Sequence, residues 1–461
     1  MFSLVGKDVV QVKETVSFNT DSIFDLLTGD VRRGYDGKWY INGGWGPAIA
    51  GVLGRSGMFK STLTASLMMR LSALYQVESI IADSEGSITR STERICRMAG
   101  NLAKYVTTEN VVSLDAKNQY DLASLLKFIR EIGEKKKAMK DDAMITTPFL
   151  DKNGERIKVY VPTPLFIDSF SELSGTAEDT MLSTAGLDDS KTKTAYMLDA
   201  NQKTLFLRTV SRYAQEYGID IITTAHYGQK LNMDSFLPPP KMLQYMGQNE
   251  AAKNVGSKFY FLTSPQVLIA SCTKCQDDAK QCKFRLTSNN SPTELSELVV
   301  LMQRCKNNSS GLTHPFIISQ ENGLLTEASD YNFLKSNKMF AMQGNNVTHQ
   351  SVFYPEKSMT RNSFRGLCAE DPKLTRALQL GAQLLYVQMN WSDSGWAFPL
   401  KVDPKKLVDV LLSDKCKMTK ERILNSRGYW LPDELITPET PEYLSIFDIL
   451  EMAGSSGLLN S

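Results

Sequence analysis

The stretch Gly54-Arg55-Ser56-Gly57-Met58-Phe59-Lys60-Ser61-Thr62 follows an apolar run, 47–54, and opens a segment with helical apolar spacing at Leu63, Leu67, Met68, Leu71 and Leu74. A glycine-containing turn between a strand and a helix aims successive backbone N–H groups at one point, where they and the helix N-terminus hold phosphate oxygens. In such a loop a lysine reaches the β- and γ-phosphates and the next hydroxyl binds Mg²⁺, which assigns those roles to Lys60 and Ser61. The pattern is broken at one position: Phe59 stands where the second glycine of a phosphate loop belongs. The reading that reconciles it gives Phe59 a negative φ at the helix start, its ring turned from the phosphate while its N–H still donates. Gly57 then supplies the loop's flexibility.

Three more stretches bear on the same chemistry. Pro164-Leu165-Phe166-Ile167-Asp168-Ser169 is a strand ending in an acid, the way a Walker-B aspartate is presented to Mg²⁺. Residues 80–89, IIADSEGSIT, end another strand in Asp83 and Glu85, and a carboxylate there can polarise water for attack on a γ-phosphate. Residues 223–229, TTAHYGQ, close a third strand on His226, placed to sense the γ-phosphate and pass its state to the loop beyond. Each is weak alone, since a strand may end in a helix-capping acid, an acidic turn or a structural histidine. Their order carries the weight: phosphate loop, acid after the next strand, Walker-B-type strand, polar strand end.

The elements that must position these residues read as repeated β–α alternation. Strands at 47–54, 79–83, 111–115, 164–169 and 219–226 are separated by helical patterns near 60–76, 90–98, 120–139 and 201–218. This predicts an α/β fold with a mostly parallel twisted sheet flanked by helices. Asn153-Gly154 between β-rich arms predicts a hairpin over 145–161, and the polar run 174–199 reads as a loop. From Gln266 four β-like segments follow (QVLIASC, CKFRLTS, ELVVLMQRC and PFIISQ). Helical patterns at 373–389, 404–413, 418–425 and 443–453 predict a small α-rich C-terminal domain. The division is 1–40, an N-terminal segment; 41–345, the core; and 346–461, the C-terminal domain.

Composition excludes little. A net charge of +1, 42% hydrophobic and 22% charged residues describe an ordinary globular protein with no global basic bias. No signal-peptide pattern and no membrane-length apolar run is present, and the odd set of seven cysteines fits reduced thiols, so a cytoplasmic location is expected. Cys272-x₂-Cys275 with Cys282, Cys305 and His314 could form a zinc site, but one CxxC with irregular partners supports free thiols better.

The four motifs in this order resemble the RecA-type recombinases, and within them the UvsX-like recombinases of T-even-like bacteriophages, which also carry Phe-Lys-Ser in the loop. The resemblance spans about 20–345 and is specific in the four motifs, loose between them. It implies a RecA-like P-loop ATPase core whose cofactors are ATP and Mg²⁺. Lys60 and the amides of residues 54–62 would hold phosphates, Ser61 and Asp168 the metal, with Glu85 as base and His226 as the coupling residue. It further implies a first DNA loop near 171–195 and a second at 228–256. There Lys230, Lys241, Lys253 and Lys258 would neutralise phosphates, and Tyr245 or Met246 would wedge against bases. Arg304 and Lys306 would reach a neighbouring protomer's ATP.

The function so implied is a DNA-dependent ATPase that forms filaments on single-stranded DNA and pairs it with homologous duplex in recombination and repair. Mediator and single-strand-binding proteins are its expected partners, the N-terminal segment is a candidate protomer contact, and no membrane is involved. Two other readings stay open: a DnaB-type hexameric replicative helicase, and a non-catalytic ATP-binding recombination mediator. The chain departs from the family in its length, in the 145–161 hairpin, in lacking a counterpart to the adenine-stacking tyrosine, and in Phe236-Leu237-Pro238-Pro239-Pro240 within the second loop.

Overall fold

A computed structural model describes residues 15–86, 88–89, 91–114, 121–174, 190–229, 241–256, 258–286, 291–343 and 347–459, those at 190–197 and 342–343 by their backbone alone. Its centre is a ten-stranded mixed sheet. The strands are β1 (Asp30–Arg33), β2 (Trp39–Asn42), β3 (Ile49–Gly54), β4 (Ser79–Asp83), β5 (Val111–Ser113), β6 (Met144–Leu150), β7 (Arg156–Tyr160), β8 (Thr163–Asp168) and β9 (Ile219–Gln229). They continue with β10 (Glu250–Ala252), β11 (Thr263–Lys274), β12 (Leu295–Arg304), β13 (Thr313–Ser319), β14 (Gly323–Leu324), β15 (Ala341–Gln343), β16 (Thr348–Ser351) and β17 (Tyr354–Met359). The central order is β14-β13-β12-β11-β3-β9-β8-β4-β5, with β10 pairing beside β9. From β11 through β5 every neighbouring pair is parallel, whereas β12, β13 and β14 extend the far edge antiparallel.

The parallel strands carry apolar runs through their middles because helices cover both faces. Their alternation sorts side chains into two cores: Ile49, Leu53, Ile80, Ala82, Leu165, Ile167 and Ile221 on one face, Ala50, Val52, Ile81, Phe166 and Ile222 on the other. The first face is covered by helices Leu122–Met139 and Ser190–Tyr217, which bring Leu125, Ile129, Leu207, Val210 and Ala214. The second is covered by helix Lys60–Tyr75, which is buried almost throughout.

The second core continues without a break from Val16 near the start of the described residues to Ala453 in the last helix. Phe18, Tyr75 and Trp430 pack edge-on and tilted against one another, their rings 5.1–5.4 Å apart, and Trp430 Nε1 donates to Ser17 O. The N-terminal stretch from Val16 to Thr28, including helix Ile23–Thr28, is therefore packed inside its own chain. The C-terminal helices Pro372–Asn390, Pro404–Leu411, Lys420–Leu424 and Ile446–Ser455 form as their spacing predicts, but belong to this same hydrophobic cluster. The hairpin also forms, from β6 and β7, with Gly154 at φ +82° in its turn. It joins the C-terminal part through Arg156, whose two terminal nitrogens meet Asp433 at 2.6 and 2.8 Å.

Several sequence expectations are corrected. The helix before β9 begins at Ser190, so the end of the expected 174–199 loop is helical; 175–189 lies outside the described residues. The β-like run at 282–288 forms no strand where it is described, because Cys282 and its neighbours close a turn against Gln276. The small antiparallel sheet β15-β16-β17 precedes the C-terminal helices, and its short, polar strands carry no apolar alternation that would mark them in the sequence.

Candidate active site

Parallel pairing delivers the carboxyl ends of β3, β9, β8 and β4 to one edge of the sheet. Gly54 is in register with His226, and Asp168 with Asp83. The connection leaving β3 must cross β9 and β8 to reach β4, so a crevice opens outside these strand ends, the usual ligand position of an open α/β sheet.

The 54–62 loop occupies that crevice. Gly57 has φ +75° and Phe59 φ +57°, with Met58 between them outside the left-handed region. Such an alternation turns successive N–H groups to one side, a backbone geometry able to hold an anion. The expected negative φ at Phe59 is thus wrong: the residue is left-handed, and its ring is kept by partial burial against the second core rather than by a favourable backbone. Helix Lys60–Tyr75 has no side-chain cap at its N-terminus, so its first amides point into the loop. Glycine at position 54 leaves room for the lysine: a Cβ there would lie 3.1 Å from Lys60 Cγ and 3.2 Å from Cδ, so that side chain would have to shift by a few tenths of an ångström.

Lys60 Nζ donates to Arg55 O at 3.2 Å. Burial pulls its pKa down, and the fields of Glu85 and Asp168 oppose that. Beside it Ser61 Oγ donates to Asp168 Oδ1 at 2.9 Å, and Thr224 Oγ1 donates to the same oxygen. Burial raises the Asp168 carboxyl to about 6, against the lowering effect of those two hydroxyls, with Glu85 and Asp83 adding to the rise. The Asp168–Ser169 peptide is cis.

Glu85 sits above this pair in the turn after β4. Its N–H donates to Asp168 O, and Ser84 Oγ bonds the carbonyls of Asp168 and Ser169, stitching the two strand ends together. Glu85 Oε1 accepts from His226 Nε2 at 3.0 Å, while His226 Nδ1 faces Ser56 Oγ of the loop at 3.4 Å. Asp83 has a different use. It is buried and accepts from the amides of Ile88 and Thr89 and from Thr89 Oγ1, which fixes the turn that presents Glu85.

Lys60, Ser61, Glu85, Asp168 and His226 are therefore brought together, and Thr62 is buried in the first helical turn. Sequence reasoning missed four neighbours. Thr224 reaches Asp168 only because Ile167 is in register with Thr223. Ser171 Oγ accepts from the His226 amide and donates to Lys253 O. Glu172 Oε1 lies 3.9 Å from His226 Nε2, and Glu250 pairs with Arg55. Ser171 and Glu172 follow Asp168 closely enough to have been suspected; Glu250 gave no local signal. An open cavity of about 740 Å³ adjoins the loop, lined by Arg55, Ser56, Glu172, His226, Gln229 and Lys253, among others.

Of the remaining candidates, Lys253 is exposed on that cavity, and the others scatter: Lys241 and Lys258 are exposed, Tyr245 is 38% exposed against Gly311, and Met246 is buried in the first core; Lys230 lies outside the described residues. Arg304 is committed within the chain, donating to Tyr260 O at 3.0 Å and Thr263 O at 3.2 Å, while Lys306 is exposed. The five zinc candidates do not converge. Among the described residues the one His/Cys/Asp/Glu group within common ligand reach is Glu85, Glu172 and His226. His314 is instead sealed among Phe316, Phe333 and Tyr386.

The fold is that of an α/β protein with a large mixed, mostly parallel sheet flanked by helices, and the polar cluster just described lies in the crevice at the carboxyl edge of its parallel strands. The sequence matches no protein-family model and no curated protein at significant similarity. Among the described residues, no helix is long and apolar enough to cross a membrane.

Proposed function

We propose that this protein is a Mg²⁺-dependent, DNA-stimulated ATPase with a RecA-like core, acting as a recombinase that assembles on single-stranded DNA. The observation that carries the ATPase reading is the meeting of Lys60, the Ser61–Asp168 pair and the Glu85–His226 pair at four parallel strand ends. The donor set fits the groups it would hold: an uncapped helix start and a nest for phosphates, a hydroxyl and a carboxylate for a hard cation. The recombinase reading adds the motif order and the position of His226, where β9 runs on toward the 228–256 segment.

In this reading Lys60 and the loop amides bind the β- and γ-phosphates, and Ser61 and Asp168 hold Mg²⁺. When bound, the cation neutralises charge developing on the phosphates. Glu85, once released by His226, orients the attacking water and takes its proton. His226 exchanges Glu85 for the γ-phosphate end of the site, and the change reaches the DNA segment through its own carbonyl, which accepts from the Lys253 amide.

Steady-state ATP turnover with and without single-stranded DNA tests the proposal. Turnover stimulated by DNA and abolished by Lys60→Ala is expected; turnover indifferent to Lys60→Ala overturns the site. Electron microscopy with a slowly hydrolysed ATP analogue and single-stranded DNA then separates helical filaments, expected here, from the closed rings of a helicase.

A further inference from the structure

Arg55 belongs to the phosphate loop twice over. Its carbonyl accepts the Lys60 ammonium, while its guanidinium leaves the loop and meets Glu250 Oε1 at 3.0 Å. Glu250 is the first residue of β10, the short strand that pairs antiparallel with the end of β9 past His226. The acid is held in place by its own turn. It folds over Gly247, where a Cβ would lie 2.3 Å from Glu250 Oε2, and its amide bonds Gly247 O. Two residues beyond β10's start, the register places Ala252 opposite Tyr227, and the Lys253 amide donates to His226 O at 2.8 Å. The cavity beside the loop lies between these parts, with Arg55, Ser56, His226 and Lys253 on its wall.

We propose that Glu250 is a built-in competitor for the nucleotide: it holds Arg55 away from the phosphate nest, and a bound phosphate chain draws Arg55 off Glu250, loosening β10. An arginine one residue into a phosphate loop has two anions to choose from, and the guanidinium is here engaged by Glu250 at the start of β10. Guanidinium binds phosphate oxygens at least as well as a single carboxylate oxygen, since its planar fork matches them. The resting pair is solvent-accessible, with Arg55 61% exposed, so it opens at low cost and acts as a latch rather than a lock. Release of Glu250 frees the strand whose next link is His226's own carbonyl, so nucleotide binding reaches the 241–256 segment by a route separate from the Glu85–His226 contact.

This inference rests on the nucleotide-binding reading above, and one set of measurements separates the two. Affinity for a slowly hydrolysed ATP analogue is measured for the wild type, Lys60→Ala, Arg55→Ala, Glu250→Gln, Gly247→Ala and the Arg55→Ala/Glu250→Gln pair. Hydrogen exchange of the peptide containing the Lys253 amide is followed in the same proteins. Removing the competitor by Glu250→Gln, or dislodging it by Gly247→Ala, is expected to tighten binding about 1.5- to 5-fold, the scale of an exposed ion pair. Arg55→Ala is expected to weaken it, and Glu250→Gln is expected to change nothing in the Arg55→Ala background. Exchange at Lys253 should quicken on adding the analogue to the wild type and be already fast in Glu250→Gln without it. An equal effect of Glu250→Gln with and without Arg55, or exchange indifferent to nucleotide, overturns the latch alone. Absence of analogue binding to the wild type overturns the nucleotide reading and the latch with it.

Discussion

Ser61 and Asp168, 107 positions apart in the chain, share a hydrogen bond of 2.9 Å at the mouth of the loop, and Asp168 is fully buried there. Burial raises its carboxyl from 3.8 to about 6, above its unfolded value. Its contribution to stability is thus fully present below about pH 4 and is lost as pH rises through about 6. Asp168→Asn, which keeps the shape and removes the charge, is expected to stabilise the nucleotide-free protein at pH 7.5 by up to about 3 kcal/mol, with no gain at pH 4. Urea denaturation at both values checks this. The same variant should lose at least about 100-fold in turnover. In the wild type, Mg²⁺ affinity should fall below pH 6 as protons take the carboxylate.

The contact of His226 with Glu85 predicts divergent effects of removing each partner. Glu85→Gln should lower turnover about 10²- to 10⁴-fold, the range of a lost general base, while leaving analogue affinity within about threefold. His226→Ala leaves the carboxylate without its imidazole and should abolish the difference between DNA-stimulated and unstimulated turnover. Paired kinetic and binding titrations distinguish the two.

Phe59 in the left-handed region makes its own prediction. Phe59→Gly trades buried ring for backbone relief, so stability should change by no more than about 1 kcal/mol and analogue binding should persist. Phe59→Val keeps an apolar side chain but is β-branched, the type least tolerant of φ +57°, and should destabilise by about 1–3 kcal/mol. Thermal melts with and without nucleotide rank the three proteins.

Far from the crevice, Lys136 Nζ donates to the carbonyls of Val161, Tyr217 and Gly218 at 2.6, 3.0 and 2.9 Å. Burial lowers the lysine and raises its neighbour Asp220, and the charge of each opposes the shift of the other. Lys136→Met removes the donor from three carbonyls and the opposing charge from Asp220, and should cost about 3–5 kcal/mol. Adding Asp220→Asn should recover part of that loss, which a double-mutant cycle of unfolding free energies measures.

His314 is buried among aromatic rings, neither ring nitrogen has a hydrogen-bond partner among the described residues, and burial lowers it to about 3. The unfolded chain takes up a proton below about pH 6.5 that the folded protein refuses, so stability falls with pH between about 6.5 and 3. The slope is up to about 1.4 kcal/mol per pH unit. His314→Phe should flatten that part of the stability curve, as urea midpoints at pH 7 and 4.5 would reveal.

The sequence by itself determined the alternation of elements, because buried parallel strands and their covering helices leave apolar runs and 3.6-residue spacing that need no tertiary knowledge. It also marked Lys60, Ser61, Glu85, Asp168 and His226, since each stands at the end of such a run or in a glycine-bearing turn. What it left undecided depends on distance along the chain. Thr224 joins Asp168 only through the β8–β9 register, and Glu250 meets Arg55 only because β10 returns beside β9. The C-terminal helices were visible, yet their merger with Phe18 and Tyr75 through Trp430 was not, because an apolar face does not say which other face will cover it. At Phe59 local rules gave the wrong φ. Loop closure between β3 and its helix, together with the packing of its ring, overrides the backbone preference of a bulky residue, and only the folded chain holds both constraints at once.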